Sequence, residues 1–154
     1  MSEIFEKNEY WLKNFDKCFN KDKEIQENFA DIFNRFVEQN HITAVDFQNK
    51  THIDRNTFRL WKEDVKRPSM KKFVAFCIAY KINIGLAFYM MEKIEITFIL
   101  TNKVHYAYYN LIQNFKCCKE QEMFIECNKI LDKLNIDPVY WLGNDEDKWW
   151  DEEE

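Results

Sequence analysis

Residues 43–69 read TAVDFQNKTHIDRNTFRLWKEDVKRPS, and this stretch decides how the rest of the chain is understood. Its period breaks it into two short helices with a tight corner between them. Thr43 is placed to cap a first helix that runs to about Lys50 and turns Phe47 inward. His52-Ile53-Asp54 form the corner, and Asp54 caps a second helix from Arg55 to about Lys62. On that second helix Phe58 and Trp61 share one face. Arg55, Arg59 and Lys62 share another.

Two short helices joined by a turn of three or four residues make a helix-turn-helix unit, whose second helix lies in a DNA major groove. At this level the chain resembles the Xre/Cro-like (lambda-repressor-like) helix-turn-helix regulators. The resemblance is carried by Ile42-Thr43 at the start of the first motif helix and by Ile53-Asp54-Arg55-Asn56-Thr57-Phe58 at the start of the second. Trp61 stands in the aromatic slot that closes the core, and Arg67-Pro68-Ser69 precedes the next helix. Residues 73–82 (FVAFCIAYKI) resemble the family's fourth helix. Three positions depart from the pattern. Ala44 stands where the family has a phosphate-anchoring glutamine, Gln48 where it has a small alanine, and His52 where it has the turn glycine, a position that needs a left-handed backbone.

The resemblance covers roughly residues 29–91. It implies an all-α fold: a lambda-repressor-like five-helix DNA-binding domain with an extra N-terminal helix and additional C-terminal helices. Composition agrees with the fold class. Only 2 Gly and 2 Pro among 154 residues leave few helix breakers, while 46% apolar residues can build a substantial core. Four regions follow: a helical extension over 1–22, the helix-turn-helix domain over 23–93, a helical region over 94–142 for dimerisation or partner binding, and an acidic, Trp-containing tail over 143–154.

Helical spacing of Ile4, Trp11, Phe15 and Phe19 predicts a helix over 4–19, ended by a polar break at 20–24. A lone amphipathic helix does not persist in water, so this one is expected to dock on something. A second helix is expected over 25–40, then the two motif helices, then helices over 69–80 and 83–93. Residues 94–100 (IEITFIL) are β-prone but lack a partner strand, and read as a connector or a buried helix turn. Further helices are expected over 102–115 and 120–134. Asp137-Pro138 ends the helical region, and residues 139–143 tuck back onto the surface.

The formal charge of −5 is unevenly spread. Residues 43–81 carry nine basic and four acidic side chains, a net of +5; residues 141–154 carry seven acidic and one basic, a net of −6. On the basic face, Arg55, Asn56, Arg59 and Lys62 are the candidates for reading base edges. Arginine pairs with two acceptors of guanine, and asparagine with the donor–acceptor edge of adenine. Thr43, Gln48, Lys66 and Arg67 are the candidates for phosphate contacts, which set register. One such helix reads few base pairs, so the expected partners are double-stranded DNA and a second copy of the chain. Tyr106, Tyr108, Tyr109 and Phe124 are either the dimer interface or core.

Enzymatic chemistry has no anchor in the sequence. There is no Gly-rich phosphate loop, no serine nucleophile elbow and no metal-spaced histidine set among His41, His52 and His105. Five cysteines form no C-x-x-C pair and read as thiols of a reducing compartment. No cofactor or metal is expected. No stretch reaches 18 consecutive apolar residues, and the opening residues lack a signal-peptide layout, so a cytoplasmic location without membrane contact is expected.

The expected function is sequence-specific transcriptional regulation, with repression the expected direction. The alternative is a protein-interaction adaptor, or an antitoxin-like protein, that keeps the fold and binds a protein partner through the C-terminal region. Ala44, Gln48 and the acidic end favour that alternative. Trp149-Trp150 give the tail two docking groups, for a partner or for the chain's own basic face, unless it is only a solvated end.

Overall fold

Short polar side chains set where most of the helices begin. In the computed structural model, which describes residues 3–25, 27–117 and 119–143, the side chains of Asn28, Thr43, Asp54, Ser69, Asn83 and Asn102 each accept a backbone N–H from the first turn that follows. They open α2 (Phe29–Gln39), α3 (Ala44–Thr51), α4 (Arg55–Lys62), α5 (Met70–Ala79), α6 (Ile84–Lys93) and α7 (Lys103–Asn114). At α2 and α3 the third helical residue, Asp31 or Asp46, reaches back to the cap's own N–H and completes a capping box. Ahead of them lies α1 (Glu3–Ile25). Beyond α7 a single 3-10 turn (Glu120–Glu122) leads into α8 (Met123–Lys133), and another (Pro138–Tyr140) follows it. The described residues are all-α, with no strand among them; residues 94–100 connect α6 to α7.

Helix ends are written differently. The residues just past α2, α4, α5, α6 and α8 are His41, Asp64, Lys81, Glu95 and Asn135, all with φ between 51° and 59°. In each case the next residue is Ile or Val, and its N–H bonds a carbonyl five residues back: Ile42 to Val37, Val65 to Leu60, Ile82 to Cys77, Ile96 to Met91, Ile136 to Leu131. This is the Schellman stop, normally built on glycine. A chain nearly without glycine makes it five times with ordinary residues.

The core is organised by one ring. Phe33 is fully buried, with the rings of Phe29, Phe47, Phe58, Trp61 and Phe76 centred 5.4–5.7 Å from its own, which ties α2 to α3, α4 and α5. The core continues through Ala107, Tyr108 and Leu111 of α7 and Phe124, Cys127 and Leu131 of α8 to Leu142, so residues 94–142 share it with the preceding helices. Leu142 is wholly buried, deeper than a segment lying on the surface. Asn128 holds it there, donating to its carbonyl (2.9 Å) and accepting its N–H (2.8 Å). Of the four residues that were interface or core, Tyr108 and Phe124 are core; Tyr109 stacks on Phe88 and Tyr106 is exposed.

Three sequence expectations are corrected. The break at 20–24 does not exist, because α1 continues through it to Ile25. Lys and Glu dominate that stretch and are good helix formers; polarity alone stops nothing. The next helix accordingly begins at Phe29, not 25. The third correction concerns docking. Trp11, Phe15 and Phe19 of α1 stay more than half exposed, against the expectation that the helix would cover them. The tail beyond Gly143, with Trp149-Trp150, and Cys118 lie outside the described residues.

Candidate nucleic-acid interface

The position of α4 follows from what it buries. Thr57, Phe58 and Trp61 point into the core, and eight residues make a rod of about 12 Å. Its start is fixed by Asp54, whose Oδ1 accepts the Thr57 N–H at 2.6 Å. Its end is fixed by Asn34 of α2, whose Nδ2 donates to the Lys62 carbonyl at 2.9 Å. With that face spent, Arg55, Asn56, Arg59 and Lys62 face outward, all four exposed.

The four are not equally free. Arg59 donates to Glu63 Oε2 at 2.7 Å and to Asn56 Oδ1 at 2.8 Å, so its guanidinium lies along the helix. Both members of the Arg59–Glu63 ion pair are more than half exposed, so the pair is weak and exchangeable. Lys62 folds back over the Phe58 ring, its Nζ 5.4 Å from the centroid. Arg55 has no polar partner among the described residues and projects from the first turn.

The phosphate candidates surround this rod. The Thr43 hydroxyl accepts the Asp46 N–H at 3.1 Å, which leaves its own hydrogen for donation. Gln48 is half-buried on α3. Lys66 is half-buried in the loop after α4, while Arg67 is exposed and lies 3.6 Å from Glu95.

The count of basic residues in the sequence overstates the basic face. Lys50 lies 3.4 Å from Glu120 and over the Tyr80 ring, Lys71 donates to the Val139 carbonyl at 2.8 Å, and Lys72 is buried. These three cations serve the fold.

The corner between α3 and α4 carries a contact that the sequence did not reveal. His52 adopts φ 60°, ψ 19°, the left-handed conformation its position requires. Its ring packs edge-on against Phe124 of α8, and its Nδ1 lies 2.9 Å from the Gly143 carbonyl. A carbonyl can only accept, so Nδ1 carries the proton. Gly143 has φ 65°, and a Cβ there would fall 2.4 Å from the Phe124 ring. The last described residue is thus clasped to the corner. Nothing in the spacing of His52, Phe124 and Gly143 announces this; only folding brings positions 91 residues apart together.

Beside α3 lies a shallow cavity of about 420 Å³, lined by His41, Asp46, Asn49, Lys50, Tyr80 and Glu120. Burial, with the carboxylates of Asp46 and Glu120, pushes the Tyr80 phenol up to about 12. Burial likewise pushes up the thiols of Cys77 and Cys127, which makes both poor nucleophiles. Among the described residues no group of His, Cys, Asp and Glu is arranged to hold a metal ion, and no helix is long and apolar enough to cross a membrane. Compared with protein-family models, curated proteins and solved structures, the chain matches none.

Proposed function

We propose that this protein is a sequence-specific regulator that binds double-stranded DNA as a homodimer, with α3 and α4 acting as a helix-turn-helix. One observation carries the reading. The outward face of α4 is a row of Arg55, Asn56, Arg59 and Lys62, held by caps at both ends and bare of apolar side chains. In the groove, Arg55 and Arg59 would donate to guanine O6 and N7 and Asn56 would read adenine. Arg59 would exchange Glu63 and Asn56 for base acceptors. Thr43, Gln48, Lys66 and Arg67 would take phosphates on either side. Binding to random duplex DNA tests this. Affinity should fall with salt at a log–log slope of several units, and flat or absent binding at about 50 mM salt overturns it.

A second reading, an adaptor or antitoxin-like protein that binds a protein partner, is favoured by the pairing of Arg59 with Asn56 and Glu63 and of Arg67 with Glu95. Those pairs spend on the protein itself donors that a groove binder needs. A complex with an acidic protein partner that survives R55A/R59A would select this reading.

A further inference from the structure

The corner from α5 to α6 and the end of α7 line one cavity of about 620 Å³, to which α8 contributes Met123. Close-packed interiors leave few voids larger than a water molecule, and sites for small molecules run from about 300 to 1,000 Å³. A space of this size at the join between the helix-turn-helix region and the C-terminal helices has room for a ligand.

The lining has two parts. Ile84, Ile112, Phe115 and Met123 offer hydrocarbon surface, while Lys81, Lys116 and Asn83 offer donors. No carboxylate lines the cavity among the described residues. The two lysines are uncommitted. Lys50 and Lys71 are held by Glu120 and the Val139 carbonyl, whereas Lys81 and Lys116 are exposed and have no ion-pair or hydrogen-bond partner among the described residues. Asn83 Oδ1 accepts the Leu86 N–H at 2.8 Å to cap α6, which leaves its Nδ2 to donate.

Two free cations and no anion beside an apolar wall define the ligand's chemistry. A cation would be repelled by both lysines. A small anion such as acetate would leave the hydrocarbon surface uncovered. Only a molecule with an apolar body and an anionic head satisfies both parts. We propose that this cavity binds an amphipathic carboxylate, with its chain against Ile84, Ile112, Phe115 and Met123 and its carboxylate held by Lys81, Lys116 and Asn83 Nδ2. The site does not depend on the DNA reading, and its test contains no DNA.

Calorimetric titration of the full chain with decanoate should show saturable one-to-one binding. Octanoate, two methylenes shorter, should bind roughly tenfold more weakly, and acetate not at all. Decanol, with the same chain length and no charge, should bind at least tenfold more weakly than decanoate. K81E/K116E should lose at least tenfold in decanoate affinity with the thermal transition retained, since both side chains are exposed. Lys81→Gly should lose at least threefold without loss of stability, because its backbone at φ 53° suits glycine. Ile112→Trp, which fills the apolar part, should weaken decanoate and decanol alike. Absence of decanoate binding overturns the proposal, as does equal affinity for decanol or indifference to K81E/K116E. Undiminished binding by Ile112→Trp overturns the placement in this cavity. Co-sedimentation with phosphatidylglycerol vesicles without binding of free decanoate assigns the lysines to a lipid surface and also overturns it.

Discussion

Tyr80 shows how a single atom can work against the fold that holds it. Its Oη is buried and has no hydrogen-bond partner among the described residues. Tyr80→Phe is therefore expected to leave stability unchanged or raise it by about 1 kcal/mol at pH 7, as urea denaturation would measure. The pH dependence follows with a definite sign. Tyr80 titrates near 10 when unfolded and near 12 when folded, so the stability linked to its proton is fully present below pH 10 and lost as pH rises towards 12. The Phe variant should lose less stability over that window. Gly143 is the opposite case, a residue with no tolerance. Its φ of 65° and the Phe124 ring 2.4 Å from any Cβ make Gly143→Ala destabilising by about 3 kcal/mol, combining left-handed strain with overpacking. At the proposed DNA face, Arg59→Ala should weaken specific binding about 10- to 100-fold while leaving urea stability nearly unchanged, because the Arg59–Glu63 pair is exposed. Loss of fold instead would mean that Arg59 supports α4 rather than a partner.

The elements divide into boundaries that could be read from the sequence and boundaries that could not. Thr43, Asp54, Ser69, Asn83 and Asn102 are short polar residues before apolar periodicity, and a helix start there has a chemical cause visible in one dimension; Asn28 has the same character, but the start expected at 25 missed it. The span of α4 was legible for that reason. The expected stops at 40, 62, 80, 93 and 134 lie within one residue of the observed ends, but how the chain stops was not legible, because His41, Asp64, Lys81, Glu95 and Asn135 carry no local sign that they will turn left-handed. At four of the five the Ile that follows is buried or half-buried against the core, while Val65 after Asp64 is exposed and gains only its backbone hydrogen bond. The same blindness produced the false break at 20–24, where polarity was mistaken for a stop. The stops give a prediction at this scale. Lys81 is exposed at φ 53°, and Lys81→Gly removes left-handed strain at a site with little else to lose. Thermal or urea unfolding should show a gain of about 1 kcal/mol, whereas glycine in the middle of α5 would cost a similar amount. No gain would mean that the following Ile82 contact, not backbone strain, sets the energy of the stop.

At the scale of the molecule, the candidate face was legible as residue types at helical spacing, but its strength was not. Lys50, Lys71 and Lys72 are turned to the fold, so the local excess of positive charge is smaller than the sequence count. The clasp of His52 on Gly143 was invisible for a related reason, being a contact between distant parts of the chain. It also fixes Gly143, the residue that precedes the acidic end in the sequence. The chain carries −5 and residues 144–154 carry −6, which leaves +1 for residues 1–143. The Gly143 carbonyl lies 2.9 Å from His52 Nδ1, at the corner between α3 and α4. If α4 binds DNA as proposed, the negative charge of residues 144–154 repels DNA within a range set by the Debye length, about 10 Å at 0.1 M salt. Truncation after Gly143 should therefore raise affinity for random duplex DNA at about 50 mM salt and make much less difference at about 200 mM, as screening removes what the truncation removes. Fluorescence anisotropy at the two salt concentrations measures both. Equal affinities at the lower salt would show that the acidic end does not act on this face.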